Sequence, residues 1–330
     1  MAAVSMVELW RGGRLESVHA GHAVICDAGG AVVQAWGDGD AITYPRSSCK
    51  MLQALPLVES GAADAAGLTD RQLSLACASH IGAALHTGMV TDWLSGLGMG
   101  ESDLRCGSHW PDDIAARDLL VKTDASPCQF HNNCSGKHAG FLTLGRHLKG
   151  GAEYIQADHP VQRAVRAAFE EVTGMDSPGF AIDGCSAPTP ATSITAMARA
   201  MGFFAGANPE GSRRERAAVR LHRAMATYPE MVAGEGATCT SLMRAMGGKV
   251  AVKGGAEGFY VAIIPEKRLG VAMKIADGAG RAKEAAITAL LVRLGVLEPG
   301  HPVVAQYLTG PMKNCGGRVV GEMRTAPGFA

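Results

Sequence analysis

Short apolar runs separated by turn residues occupy both ends of this 330-residue chain. Near the start, they flank the turn Asp27-Ala28-Gly29-Gly30, and near the end they are broken by Gly254-Gly255 and by Glu266-Lys267. Runs of this length between turns are typical of hairpins, so we expect antiparallel strands at both ends. The predicted strands are 7–9, 23–26, 31–36, 249–253, 259–265 and 269–275.

The middle of the chain, from Ser47 to Leu242, has a different pattern. It is rich in Ala, Met and Leu, and Arg-studded segments such as 161–172 and 213–227 have the apolar spacing of helices. The same spacing recurs near the end of the chain, at 281–294. The pattern therefore predicts a mostly helical middle and a closing helix that covers one face of a sheet.

These elements indicate an α/β fold with two lobes. The simplest assembly joins the strands of both chain ends in one antiparallel sheet, flanked by helices, and inserts the helical middle as a second lobe. The sheet lobe would comprise 1–46 and 243–330, and the helical lobe would comprise 47–242. We expect the active site between the two lobes.

The charge and hydropathy of the chain exclude several classes of partner. Lys plus Arg and Asp plus Glu both total 31, so the chain has no electrostatic footprint for nucleic acid or for an anionic membrane surface. No stretch approaches the ~18 consecutive apolar residues of a membrane span, and the start lacks the pattern of an export signal. We expect a cytoplasmic protein, whose nine Cys residues remain reduced as core residues, metal ligands or nucleophiles.

The first candidate for catalysis is the pair Ser47 and Lys50, at the junction of the strands and the helical middle. Residues at i and i+3 share a helix face, so the hydroxyl and the amine can come within hydrogen-bond reach. A serine becomes a nucleophile when a base such as an uncharged lysine stands beside it. The alternative is coincidence, because Ser-x-x-Lys arises by chance about once in a chain of this length.

A second candidate site is formed by the polar, turn-rich segments 128–138 and 183–185. Two thiolates from separate loops, with His, Asp or Lys nearby, can hold zinc and leave one position for water. Ligand statistics favour His131 or His138 as the third ligand. The alternative is that these cysteines are buried apolar residues, since the chain contains no Cys-x-x-Cys.

Two further residues can reach a cleft. Ser79 follows the apolar run 73–78, and Lys253 ends a predicted strand. The structural alternatives are a turn serine and a solvated edge lysine.

Seven segments together resemble the rhizobial-type bacterial L-asparaginases, the asparaginase II family, over essentially the whole chain. They include Arg46-Ser47-Ser48-Cys49-Lys50 and Asn133-Cys134-Ser135-Gly136-Lys137-His138. The remaining five segments are 53–56, 59–63, 78–80, 183–185 and 253–258. The resemblance implies a fold similar to serine β-lactamases and glutaminases, and a homodimer.

The resemblance also implies a set of site residues. The implied catalytic residues are two Ser and Lys tandems, Ser47 with Lys50 and Ser79 with Lys253. The implied zinc ligands are Cys134, Lys137 and Cys185, and the implied substrate-binding residues are Arg46 and Asp183. A lysine binds zinc only as the neutral amine, so the metal has to displace the proton of Lys137, and neither histidine is then needed as a ligand.

The implied reaction is hydrolysis of L-asparagine to aspartate and ammonia. Ser47, activated by Lys50, attacks the side-chain amide, and water then releases aspartate from the acyl-enzyme. Ser79 either relays protons with Lys253 or is itself the nucleophile.

Two alternatives remain open. One is a glutaminase or another serine amidohydrolase of the penicillin-recognising fold, although the Ser-x-Asn and Lys-Thr-Gly motifs of the penicillin-recognising enzymes are absent. The other is a non-catalytic protein in which zinc only holds loops together, but the Ser and Lys pairs would then have no purpose.

Overall fold

The computed structural model describes residues 2–330. Contacts divide the chain into two compact units. The first comprises the residues up to Ser48, Ser193–Gly206 and Ser241–Ala330, and the second comprises Cys49–Thr192 and Ala207–Thr240. This division differs from the predicted lobes chiefly at Ser193–Gly206, which the sequence analysis placed in the helical middle.

The described residues form twelve strands, β1 to β12 in chain order. They are Val4–Arg11, Arg14–Asp27, Val32–Trp36, Ile42–Thr43, Phe180–Ile182, Pro188–Pro190, Thr192–Ser193, Ala251–Gly254, Phe259–Ile264, Leu269–Ile275, Pro311–Lys313 and Val319–Thr325.

The same residues form thirteen α-helices, α1 to α13. They are Lys50–Glu59, Ala62–Ala65, Asp70–Ala76, Ala84–Gly96, Ile114–Lys122, Ser135–His147, Pro160–Thr173, Ile194–Gly206, Arg213–Thr227, Pro229–Val232, Thr238–Ala245, Gly280–Arg293 and Pro302–Val304. The shorter turns are the 3₁₀ helices Arg46–Cys49, Glu101–Asp103, Gln129–His131 and Pro265–Lys267, and the π-helix Ala305–Thr309.

The first unit is built on an antiparallel sheet of eight strands. The strand order is β11-β12-β1-β2-β10-β9-β8, and β3 also pairs with β2. Strands from both ends of the chain therefore lie side by side, as in the pairing of β2 with β10, where Ile25 lies opposite Val271. With α8 and α12 packed on this sheet, the predicted fold class is confirmed.

The helix α8 belongs to the first unit because its small residues allow close packing on the sheet. It contacts β2, β9 and β10. A side chain on Gly270 of β10 would overlap the backbone of Gly202 in α8. Two glycines thus let a helix and a strand approach more closely than any other residue pair would permit.

The second unit is mostly helical. Its central helix, α1, contacts α3, α6, α7 and α9, and its residues from Lys50 to Val58 are all buried. Pro56 lies inside α1 and does not end it, although proline removes one hydrogen bond of the helix. The Asp183–Cys185 segment connects two paired strands, the largely exposed β5 and the buried β6. Within residues 2–330, no helix is both long enough and apolar enough to span a membrane.

Candidate active site

The buried amine of Lys50 is the centre of the candidate site. Lys50 is the first residue of α1, and its side chain has 0% exposure. Its Nζ donates three hydrogen bonds: to the carbonyl oxygen of Ala78 at 2.5 Å, to Ser79 Oγ at 2.9 Å and to Cys134 Sγ at 3.0 Å. Three donors meet three acceptors, so the amine is fixed in one position.

Backbone hydrogen bonds hold Ser79 in reach of this amine. After α3 ends at Ala76, the chain continues through the buried Ala78 to the half-buried Ser79. The N–H of Ser79 donates to Val232, and the N–H of His80 donates to Asn133. These backbone hydrogen bonds hold the segment against other parts of the second unit. They therefore fix the position from which the Ser79 side chain extends.

Ser47 and Lys253, the other members of the predicted tandems, lie in the first unit. Ser47 is half-buried in the 3₁₀ turn Arg46–Cys49, so it precedes α1 and does not cap it. Lys253 is 1% exposed near the end of β8, and its Nζ donates to the carbonyl of Gly254 at 2.7 Å. Gly255, two residues after Lys253, lies close to the turn that carries Ser47. A Cβ added to Gly255 would be 3.1 Å from the backbone nitrogen of Ser48.

The predicted zinc ligands form a compact buried group in the second unit. Cys134, Lys137 and Cys185 are each at most 3% exposed. Lys137 Nζ donates to Cys185 Sγ at 3.0 Å, and Cys134 Sγ accepts from Lys50. Each of the two thiols therefore contacts one of the two amines, Cys134 with Lys50 and Cys185 with Lys137.

The helix that carries Lys137 begins at this group. Cys134 is the residue before α6, and its N–H donates to Asn132 Oδ1 at 2.8 Å. Gly136 is required in the first turn, because a side chain there would overlap the carbonyl of Leu75 in α3. Close packing of α6 on α3 thus brings the Cys134 and Lys137 side chains towards the loop of Ser79.

Charge is distributed unequally over the two thiols. A hydrogen bond from Cys134, aided by the charge of Lys137, lowers the pKa of Cys185 to about 4 against the opposing effect of burial. The same hydrogen bond, together with burial, raises the pKa of Cys134 to about 12. Burial alone would lower the pKa of Lys137, but the charge of the Cys185 thiolate and its hydrogen bond with Lys137 outweigh burial and raise that pKa. The group therefore holds a thiolate and an ammonium ion at neutral pH.

This donor set fits a zinc ion if two protons are lost, one from Cys134 and one from Lys137. Cys185 is already a thiolate, Cys134 becomes one when a metal replaces its proton, and Lys137 binds as the neutral amine. Within residues 2–330, no group of three or more His, Cys, Asp or Glu side chains is arranged to hold a metal. The set implied by the resemblance has only two residues of those types, and its third member is a lysine.

The two histidines favoured by ligand statistics have other partners. His131 Nδ1 accepts the N–H of Cys128 at 3.1 Å, and His138 Nδ1 lies 2.8 Å from the hydroxyl of Tyr154. Burial lowers the pKa of His138 well below its ordinary value. His138 is therefore neutral.

Asp183 and Arg46, the predicted substrate-binding residues, both sit on turns. Asp183 is half-buried two residues before Cys185, and its Oδ1 accepts the N–H of Gly184 at 2.9 Å. Arg46 starts the turn that contains Ser47 and has a positive φ of 52°.

The Lys50 to Ser79 contact was not anticipated from the sequence, because the two residues are 29 positions apart and no spacing rule connects them.

A comparison with models of known protein families gives one match. The family model for L-asparaginase II matches residues 7–325. No curated protein matches the chain.

Several solved structures are similar to the chain. Mglu in its native form is 12% identical with a TM-score of 0.47, and the match covers 83% of this chain and 64% of that chain. Mglu in its tris and glutamate form is 12% identical with a TM-score of 0.49, covering 85% and 60%. The chain thus spans less than two thirds of the length of either Mglu chain. A β-lactamase from Mycobacterium bovis is 12% identical with a TM-score of 0.38, covering 84% and 95%.

Proposed function

The chain belongs to the L-asparaginase II family, and from this premise we propose that it hydrolyses L-asparagine to L-aspartate and ammonia. Family membership supports an amidohydrolase. The observation that carries the proposal is the 2.9 Å contact between Lys50 Nζ and Ser79 Oγ in a buried setting. A hydroxyl beside a lysine amine is the arrangement that acyl transfer to serine requires.

The proposed reaction has two steps. In its neutral form Lys50 has two N–H bonds, which donate to Ala78 and Cys134, and its lone pair faces Ser79 Oγ. That lone pair accepts the hydroxyl proton while the serine oxygen attacks the side-chain amide carbon of asparagine. The C–N bond then breaks, and Lys50 returns the proton to the departing ammonia. A water molecule hydrolyses the resulting ester, which releases aspartate and restores the serine.

Two serines compete for the attacking role in this proposal. The geometry favours Ser79, because it is a hydrogen-bond partner of Lys50. Ser47, the first choice from the sequence, lies three positions before Lys50 on the preceding turn. Lys253 keeps its proposed role as the second lysine, and its side chain is buried.

Zinc is part of the proposal, with Cys134, Lys137 and Cys185 as the ligands. The support is the chemistry of the group: a thiolate, a second buried thiol and a buried amine. When bound, zinc would supply a positive charge that positions the substrate. Asp183, two residues from Cys185, and Arg46, beside Ser47, are proposed to bind the charged groups of the amino-acid substrate.

The test is ammonia release by the purified protein from L-asparagine, with L-glutamine in parallel and the zinc content measured on the same sample. We expect release from asparagine and about one zinc per chain. Faster ammonia release from L-glutamine than from L-asparagine would mean that glutamine is the preferred substrate. No release from either amide by folded, zinc-loaded protein would overturn the proposed function.

A further inference from the structure

A cavity of about 530 Å³ lies in the first unit, where the edge of the large sheet meets α12 and the π-helix Ala305–Thr309. Its volume falls in the range of ~300–1,000 Å³ that small-molecule sites occupy. None of the described residues assigned to the candidate active site lines it. The cavity is therefore a separate feature of the fold.

One side of the cavity is an apolar patch of the sheet, formed by Leu9, Met312 and Met323. Leu9 of β1 lies directly opposite Met323 of β12. Met312 of the edge strand β11 lies opposite Gly321 of β12, where an added Cβ would be 3.5 Å from the methionine sulfur. Methionine side chains are flexible and fill irregular gaps, so the apolar patch can adapt to an apolar chain that lies on it.

The π-helix forms a second side of the cavity. π-helices are rare and often occur at functional sites. Ala305 begins the π-helix and lines the cavity with a small side chain. Gly310 follows the π-helix and also lines the cavity, and a side chain there would overlap the carbonyl of Ala305. These two small residues leave the space beside the apolar patch unfilled.

Two cationic side chains also line the cavity. Arg281 is the second residue of α12, Lys313 is the last residue of β11, and both are exposed. Of the described residues, none that lines the cavity is acidic. A cavity that combines an apolar patch with cations is complementary to a molecule that has an apolar body and an anionic group.

Arg281 is held in position by a buried histidine. The Nε–H of Arg281 donates to His19 Nε2 at 3.1 Å, and His19 Nδ1 lies 2.6 Å from Asp277 Oδ2. Because Nε2 accepts, the ring proton is on Nδ1 and donates to the Asp277 carboxylate. The described residues give the two Nη atoms of Arg281 no hydrogen-bond partner. The guanidinium is thus fixed through one nitrogen, while the other two can bind an anion.

We propose that this cavity binds a carboxylate with an apolar tail, such as a medium-chain fatty acid. The carboxylate lies on Arg281 and Lys313, and the tail lies on the apolar patch. A guanidinium group matches the two oxygens of a carboxylate. Glu16 and Asp277 are within electrostatic reach of Arg281 and offset part of its charge. One negative charge therefore balances the cavity better than the ~2 charges of a phosphate group.

The test is isothermal titration calorimetry of the full chain with octanoate. We expect saturable binding of about one octanoate per chain, and hexanoate and butanoate should bind roughly 3- to 4-fold more weakly for each methylene removed. Octanol has the tail without the charge and should bind ~10-fold or more weakly. Acetate has the charge without the tail and should give no measurable binding.

Three substitutions locate the binding within the cavity. Arg281→Gln should weaken octanoate binding ~10-fold or more, and Lys313→Gln should weaken it by a smaller factor, because lysine cannot bind both carboxylate oxygens as a fork. Ala305→Phe should abolish binding, because its ring fills the space that the tail would occupy. The matched control is Arg318→Gln, which removes an exposed arginine that does not line the cavity and should leave binding unchanged.

Circular dichroism should show that each variant is folded, and the two substitutions at Lys313 and Ala305 still decide the question if Arg281→Gln is unfolded. The proposal would be overturned if the unaltered chain does not bind octanoate, or if it binds octanol as tightly. Octanoate binding that is the same in the folded cavity variants as in the unaltered chain would also overturn it.

Discussion

At the scale of single residues, the position of the Lys50 amine distinguishes the two serines proposed as the nucleophile. The amine has three hydrogen-bond acceptors, and the only hydroxyl among them is that of Ser79. A buried lysine with fixed partners is pre-organised, so proton transfer needs no rearrangement of the side chain. The identity of the nucleophile is therefore a question about Ser79 and Ser47 that two substitutions can answer.

We expect Ser79→Ala to remove the covalent intermediate, because the alanine cannot accept the acyl group. The measurement is rapid acid quenching with L-asparagine, followed by mass spectrometry of peptides to find the serine that carries an aspartyl group. The control is Ser47→Ala, which should still acylate at Ser79. An aspartyl group on Ser47 in the unaltered enzyme would contradict the assignment and restore the choice made from the sequence.

The ion pair of Lys137 and Cys185 should be important for stability. Cys185→Ala leaves a buried ammonium ion without its nearest partner, and we expect the free energy of unfolding to fall by about 3–5 kcal/mol. In the double variant Cys185→Ala/Lys137→Met no such charge remains, so it should lose less stability than the sum of the two single variants. Urea unfolding of chelator-treated protein measures these free energies. If the loss in the double variant equals the sum of the two single losses, Lys137 and Cys185 do not stabilise the fold as a pair.

The same pair implies a pH dependence. The pKa of Cys185 is lowered from 9.0 to about 4, so the folded state favours the thiolate. Its contribution to stability is complete above pH 9, declines as the pH falls below that value, and is lost at about pH 4, where the thiolate takes up a proton. The difference in unfolding free energy between the unaltered chain and Cys185→Ala should shrink over this range.

Individual residue types could be selected from the sequence, but their partners could not. Ser47 and Lys50 were paired by helical spacing, a local rule that ignores chain segments brought in from elsewhere. The contacts of Lys50 with Ser79 and Cys134 span 29 and 84 positions, and they depend on how α3 and α6 pack against α1. The contact of His138 with Tyr154, across 16 positions, could likewise not be read from the sequence.

At the scale of elements, the contact between α8 and the sheet depends on two glycines. Gly270→Ala would push a methyl group into the backbone of Gly202, which cannot yield as a flexible side chain would. We expect the free energy of unfolding to fall by about 1–3 kcal/mol or more, as overpacked cores do. Gly88→Ala in α4, which meets nothing within 4 Å, is the matched control and should be neutral or stabilising. Equal stability of both variants in urea unfolding would contradict this account of the packing.

Elements with strong periodicity were predicted well. The predicted strand 269–275 coincides with β10, and the Arg-studded segment 213–227 coincides with α9. The strands β11 and β12 were missed, because their residues alternate weakly and are mostly exposed or half-buried. The helix α8 lies within the stretch predicted to be mostly helical, but it packs on the sheet of the first unit. Helical periodicity does not specify which surface the apolar face will cover.

At the scale of the whole molecule, strands from both chain ends form one antiparallel sheet, and the stretch between them supplies a mostly helical unit. This arrangement assigns Lys50, Ser79 and the thiol group to the second unit, whereas Ser47 and Lys253 belong to the first. The general architecture followed from the change in hydrophobic period along the chain. The unit boundaries did not, because they depend on long-range contacts.

The most direct test of the central claim is the rate of ammonia release from L-asparagine by Lys50→Met, compared with the unaltered enzyme. Methionine matches the length of lysine but can neither accept a proton nor hold Ser79, so kcat should fall by ~10²–10⁴-fold. Circular dichroism should confirm that the variant is folded, and Lys149→Met, at an exposed lysine, should retain full activity. A folded Lys50→Met enzyme with near-normal kcat would contradict the account.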